Sequence, residues 1–491
     1  MELAARTGRN LFYKLAGEGA SRVFAFLFYI MAARALGADD FGKYSFAYSF
    51  TVLLIMFADL GLNHILVRDV AGDKSLFPKY FGNANAIKLF LAAVSVAAIY
   101  VINIVTGYSR VYGNLIVLMG VVAVGTAWVE YIVYIFNAFE KMHYEAFLKT
   151  LNRSILLVFG YAAIKMGARV EGFLVSMIAA YAVSATAGFV MVARKIHKPI
   201  LSFDPKFAYR FISDSMPIFL SIVFLLAYHH AGIVMLSIYG IPEANIALYS
   251  VTLKILEVLS IASLMFATAS LPVLSDFFNR SRELFLDGYR RTLKFAFFAG
   301  ALGAALTSVM AEKFIVVLFG AEFAGAARAL SVAAWVFIFM FANHAIMQAF
   351  IILRIQQINI YTSAAALAVN IPLNMLLIPR YGFMGVAYAV VATEALLFFM
   401  NAWISFALKI RSGLIRSIWR LAVPAGVVAA LTFGNRMPAG WTGIPATLLI
   451  FAAGILIMRP FDAGDREYAA KMFSISGIIT DIFAGAGGKS R

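Results

Sequence analysis

The chain alternates long apolar runs with short polar stretches, and the runs carry no period-two alternation. A helix needs about 20 mainly apolar residues to cross the hydrocarbon core. By that rule the sequence predicts about fourteen spans, near 14–36, 43–65, 83–106, 114–137, 148–167, 171–193, 213–238, 246–275, 293–311, 328–353, 358–379, 384–408, 416–433 and 443–459. A transmembrane β-barrel is excluded, because its strands alternate apolar and polar positions over about ten residues. The fold class expected is an all-α polytopic membrane protein.

An internal repeat divides the pattern. Gly37 to Ser45 joins spans 1 and 2, and Gly240 to Ser250 joins spans 7 and 8 with a similar Tyr-Ser ending. Asn137-Ala138-Phe139 echoes Gln348-Ala349-Phe350, and Glu171-Gly172-Phe173 echoes Met384-Gly385-Val386. The offset stays near about 210 residues throughout. Two parallel, pseudo-symmetric six-helix lobes follow, with two further helices at the C-terminus. The expected divisions are 1–212, 213–410, 411–459 and a tail of 460–491. Parallel repeats about an axis along the membrane normal are a transporter architecture.

Composition agrees with lipid as the solvent. Of 491 residues, 63% are hydrophobic and 13% charged, with a mean hydropathy of +0.86. A soluble domain carries about 25% charged residues. The net charge of +16 sits in short loops, not on a soluble face, so nucleic acid is not an expected partner. Cysteine is absent, which excludes disulfides and thiolate metal sites. The first residues do not form a signal peptide, since Glu18 and Arg22 interrupt the first apolar run.

Loop charge sets an orientation. Arg194, Lys195, Lys198, Lys206 and Arg210 cluster in one loop, Arg280, Arg282, Arg290, Arg291 and Lys294 in another, and Lys409, Arg411, Arg416 and Arg420 in a third. The positive-inside rule puts these loops, and both termini, in the cytoplasm. The tail has Met472, Ile475, Ile479, Ile482 and Phe483 at helical spacing and is expected to lie along the inner surface.

Ionisable groups within spans cost about 2.5–3.5 kcal/mol on insertion scales, so each should face a partner or a cavity. Glu18 and Arg22 are four apart on span 1, and Lys254 and Glu257 three apart on span 8. Spans 1–2 and 7–8 correspond in the repeat, so these groups would converge on one cleft. There Arg22 and Lys254 would hold an anionic group, with Glu18 and Glu257 neutralising them when the cleft is empty. Alternatively the pairs only satisfy each other. Glu394 in span 12 and Glu130 in span 4 are candidates for carrying a coupling proton. Asn370 and Asn374 flank Pro372 in span 11, where freed carbonyls would suit a cation. His229, His230 and His344 read mainly as interface residues, and Lys88 and Arg153 as snorkelling to the inner face. The small residues Ala299, Gly300, Gly303 and Ala304 read as helix packing.

Three segments resemble the polysaccharide-flippase branch of the MOP superfamily. Ala33-Arg34-Ala35-Leu36-Gly37-Ala38-Asp39-Asp40-Phe41-Gly42-Lys43-Tyr44 looks like that family's "R-x-LG-x-x-x-FG-x-Y" hairpin. Asp59-Leu60-Gly61-Leu62, followed by Arg68 and Asp69, is similar to its "DxGL…R" end of helix two. Tyr381-Gly382-Phe383-Met384-Gly385-Val386-Ala387 is similar to its "YGxxGxA" turn. The resemblance runs over essentially the whole chain. It implies a flippase of the cell membrane that moves polyprenyl-linked oligosaccharides, working with the lipid bilayer and with polysaccharide-assembly proteins. Lipid II flippases of the same superfamily carry basic cavity residues on helices one and eight, which matches Arg22 and Lys254. They also carry one on helix two, where span 2 here has none.

No Walker A sequence, dinucleotide turn, HExxH or nucleophile elbow is present. No cofactor, no metal and no enzymatic activity are therefore expected, and transport would draw on an ion gradient such as H+ or Na+, on the membrane potential, or on the substrate's own gradient. The alternative on the same fold is a cation-coupled multidrug extruder, whose cleft should be acidic and aromatic. A membrane polymerase or glycosyltransferase would need a sizeable catalytic loop, and no loop here is long enough.

Overall fold

The computed structural model describes residues 2–196, 203–410, 415–434, 436–438 and 440–473. Among these there are helices and turns but no strand. The helices are α1 (Glu2–Ile55), α2 (Leu62–Gly72), α3 (Phe77–Val105), α4 (Tyr108–Tyr112), α5 (Leu115–Ala138), α6 (Met142–Lys165), α7 (Val170–Lys195), α8 (Pro205–Ile238), α9 (Glu243–Arg280), α10 (Arg282–Phe319), α11 (Ala326–Ala333), α12 (Val336–Ile352), α13 (Gln357–Tyr381), α14 (Phe383–Ala407), α15 (Ile415–Phe433), α16 (Gly443–Met458) and α17 (Ala463–Phe473). The chain is a multi-pass α-helical membrane protein. Eleven helical stretches of the described residues are long and apolar enough to span, and α11 with α12, bent by 40°, makes a twelfth.

The expected fourteen segments all have helical counterparts. The first two are the limbs of α1, separated at Gly37, whose φ of 73° and ψ of 175° break the helical run. An L-residue rarely adopts that φ, so the glycine of the hairpin motif has a backbone reason. The thirteenth is α15, whose apolar part Arg420–Phe433 is short for a full crossing.

Two expected spans are not continuous helices. The run near 43–65 stops after Ala58, turns through Asp59-Leu60-Gly61 and resumes as α2. Leu60 (φ 46°) and Gly61 (φ 73°) are both left-handed. That conformation costs an L-residue about 1–2 kcal/mol, so the surroundings must hold Leu60 there. Hydropathy did not reveal the turn, because its flanks are as apolar as the spans. The run near 328–353 breaks at Ala334–Trp335, between α11 and α12.

The chain divides into two compact units, Met1–Val234 and the described residues from Met235 onward. In the first unit α1 and α6 pack closely. A Cβ on Gly17 would lie 2.5 Å from that of Ala146. In the second unit, a Cβ on Gly300 would lie 2.6 Å from the Phe337 carbonyl oxygen, so this small residue of α10 lets α12 approach. Ala304 is fully buried as well, whereas a Cβ on Gly303 would meet nothing within 4 Å, so the expected packing role does not extend to Gly303. The last two apolar helices cover another face of α10: Ala301, Ala305 and Val309 meet Ala425, Val428 and Phe451.

The beginning of the tail is a docked helix, α17. Lys294 Nζ donates to Asp465 Oδ2 at 2.5 Å, and Arg291 Nη1 donates to Asp465 and Asp462, both at 2.8 Å. Tyr468 and Thr292 share a hydroxyl hydrogen bond of 2.6 Å, and Phe461 stacks on Phe295. Met472 is 1% exposed, so it faces protein rather than a lipid surface. Ile475, Ile479, Ile482 and Phe483 lie outside the described residues.

Candidate functional site

The first unit holds a balanced cluster of ionisable groups on α1, α5 and α6. Lys149 Nζ donates to Glu18 on α1 and, at 2.9 Å, to Glu145 one turn before it on α6. Arg22 Nε stands 3.8 Å from Glu18 Oε2, an ion pair without a hydrogen bond. Glu18 is thus shared, with Lys149 as its hydrogen-bonded partner. Arg22 is 53% exposed, which leaves most of its guanidinium fork open to an anionic ligand. Glu130 on α5 lies in the field of Lys149 and Arg153 as well as of Glu18 and Glu145. Arg153 faces Tyr181, Glu130 and Tyr48, so it is engaged inside the unit instead of snorkelling. Its position midway along α6 explains this, since neither end of the helix is within reach.

Lys88 also departs from the snorkelling expectation. It is 4% exposed and pairs with Asp59 in the turn before α2, with its Nζ 5.1 Å from the Tyr131 ring centroid.

In the second unit α9 carries a polar stripe that includes the expected Lys254 and Glu257. Lys254 Nζ donates to Glu257 Oε2 at 2.7 Å, and the two side chains keep 31% and 35% exposure. The pair is formed but not sealed. The stripe continues through Ser260 to Ser263, whose hydroxyl contacts His344 Nδ1 at 2.8 Å. His344 is thereby an interface residue between α9 and α12. In the first unit His230 contacts Ser49 at 3.2 Å and has the same character.

The remaining candidates join a buried amide cluster between α12, α13 and α14. Asn343 Nδ2 donates to Glu394 Oε2 at 3.0 Å, and Asn401 Nδ2 donates to Asn343 Oδ1 at 3.1 Å. Asn370 donates to Thr393 Oγ1 at 3.0 Å, and Asn374 to Asn370 Oδ1 at 2.8 Å. The oxygens Oδ1 of Asn374 and Asn401 are buried with no hydrogen-bond donor. Pro372, inside α13, cannot donate to the carbonyl one turn back. The cluster is rich in oxygen acceptors, the donor type that hard cations take.

Sequence reasoning missed Glu145, Lys149, Asn343 and Asn401. The four-residue spacing of Glu145 and Lys149 was a usable signal, but the pair straddles the start of the span expected near 148–167. Asn343 and Asn401 had no spacing signal, since their partners lie 51 and 58 residues away. Arg22 and Lys254 belong to different units.

A family model for polysaccharide biosynthesis proteins matches residues 7–278, more than half of the chain. The chain belongs to this family. The match takes in Glu18, Arg22, Asp59, Glu130, Lys254 and Glu257, and stops before the amide cluster. Among solved structures, the lipid II flippase MurJ in an inward closed conformation is similar with a TM-score of 0.70 at 15% identity, over 91% of this chain and 98% of that one. An inward-facing multidrug resistance MATE transporter of the MOP superfamily is similar with a TM-score of 0.62 at 14% identity, over 80% and 96%. The Vibrio cholerae MATE transporter VcmN, in its bent form, gives 0.53 at 14%, over 84% and 98%. At these identities the likeness is one of fold: this member of the polysaccharide biosynthesis family shares the fold of those proteins. No sequence among the curated proteins matches the chain.

Proposed function

We propose that this protein flips a polyprenyl-linked oligosaccharide across the cell membrane by alternating access. The observation that carries the reading is the match to the polysaccharide biosynthesis family over residues 7–278 in a chain of MOP-type fold. Such a substrate has an anionic diphosphate, polar sugars and a lipid tail. The diphosphate needs charge-assisted donors during the crossing, and Arg22 in the first unit and Lys254 in the second, both part-exposed, are each a candidate for that role. Glu18 and Glu257 neutralise them between substrates and are displaced by the stronger anion. The sugars hydrogen-bond along the polar stripe of α9, while the tail stays in lipid. Both termini lie in the cytoplasm on this reading, and polysaccharide-assembly proteins supply and receive the substrate.

Coupling is assigned to H+ or Na+. Glu130, held among cations and carboxylates, is the proton candidate in the first unit. Asn370, Asn374 and Glu394 are the cation candidates in the second, supported by the donor-free oxygen of Asn374. An extruder of cationic drugs is the alternative, supported by the likeness to MATE folds. The part-exposed Arg22 and Lys254 argue against it, because they would repel such a substrate.

Complementation separates these. A strain lacking its own lipid-linked oligosaccharide flippase should regain surface polysaccharide on expressing this chain, and should gain no drug resistance. Resistance without polysaccharide would favour the extruder.

A further inference from the structure

The interruption at Asp59-Leu60-Gly61 falls within an apolar run long enough to span without a break. Something other than crossing the membrane therefore maintains it. A Cβ on Gly61 would lie 3.1 Å from the Phe219 backbone nitrogen and 3.2 Å from the Ser215 carbonyl oxygen. The turn thus meets α8 backbone to backbone. It does so around Pro217, which sits inside α8 and cannot donate to the carbonyl of Ser213. Two locally weakened helices touch at their weak points.

Charge secures the contact from the third side. Lys88 projects from the apolar middle of α3, is 4% exposed and ends on Asp59. Tyr131 lies beside both groups. Against Lys88 is a small pocket lined by Ala58, Ala92, Val124, Ala127 and Trp128. Small side chains there leave a void beside Lys88, and Trp128 is among its walls. A buried ion pair is a weak source of stability, and a well-packed apolar pair would serve as well or better. Its presence at a helix interruption instead suits a position that has to open and close.

We propose that Asp59 and Lys88 are a positioning pair for transport, holding the interrupted second span against α8 in one state and releasing it in another. The inference rests on the transporter reading but assigns neither residue to the substrate. It also accounts for the Asp-x-Gly-Leu motif, in which Asp59 holds the clip and Gly61 admits the neighbouring backbone.

The test uses the full chain in proteoliposomes, with polyprenyl-diphosphate oligosaccharide as probe. The chain has no cysteine, so Ser215→Cys supplies a unique thiol at the contact, a position now fully buried. Lys88→Met and Asp59→Asn should each lower the flipping rate at least tenfold and raise alkylation of Ser215→Cys several-fold. Lys88→Arg should stay within threefold of the parent. The double variant Asp59→Asn with Lys88→Met should recover thermal stability without recovering rate. A merely structural pair predicts the opposite for the double variant, with both restored. Recovery of rate in the double variant, or unchanged alkylation in Lys88→Met, overturns the proposal. If the parent protein does not flip the probe at all, the flippase reading fails, and alkylation alone decides the clip.

Discussion

At the level of single residues, the value of a charge inside the membrane depends on what it is bound to and how far it is covered. Lys254 and Glu257 were legible from a three-residue spacing, because a helix puts such neighbours on one face. Their partial exposure was not legible. We expect Lys254→Ala to reduce flipping at least tenfold in proteoliposomes while the protein still folds. Lys254→Arg should keep a measurable part of the rate, since charge survives and geometry changes. Normal flipping by Lys254→Ala would remove it from the substrate path. Glu18 shows the opposite case. Its four-residue neighbour Arg22 was the expected partner, yet its hydrogen bond goes to Lys149, 131 residues along the chain. Local spacing cannot report a contact made by packing α1 on α6.

At the level of helices, the apolar runs were legible and their interruptions were not. Hydropathy averages over a turn of three residues, and Asp59 is a single charge at the margin of a long run. The left-handed Gly61 supplies a direct check. Gly61→Ala meets both an unfavourable φ and the α8 backbone. It should cost about 1–3 kcal/mol, read as a lower unfolding temperature. An unchanged temperature would mean that α8 yields easily at Pro217.

The docked helix α17 makes a prediction about pH. The Arg291 guanidinium holds the Asp462 carboxyl below its ordinary range. Burial pushes the Tyr468 hydroxyl up to about 12, so it stays protonated and bonded to Thr292 throughout the accessible range. A depressed carboxylate contributes stability above its unfolded value, about 3.9, and loses it as pH falls through the folded one. Hydrogen exchange in residues 463–473 should therefore be equally protected from neutral pH down to about 4 and lose protection below it. Loss of protection between neutrality and that point would show that a group of higher pKa controls docking.

At the level of the whole molecule, the helical multi-pass class could be read from the sequence, because lipid imposes length and continuity on every crossing, but of the fourteen expected spans α15 is too short in its apolar part to count as one. The polar clusters could be read only in part, since the amide contacts of the consecutive helices α12, α13 and α14 join residues 23, 51 and 58 positions apart, well beyond helical spacing. Orientation rests on loop charge. A thiol introduced as Glu243→Cys should react with an impermeant reagent from outside intact cells, and one introduced as Arg282→Cys should not. The reverse pattern would invert every directional statement.

The most direct test of the central claim is flipping by the purified protein. Proteoliposomes would carry a fluorescent polyprenyl-diphosphate oligosaccharide in both leaflets, with a membrane-impermeant reagent that consumes only the outer pool. With the protein present, the account predicts that the reagent reaches the inner pool as well, and that Lys254→Ala confines it to the outer one. Consumption that stops at the outer pool with the unmodified protein, under imposed H+ and Na+ gradients of either sign, would contradict it.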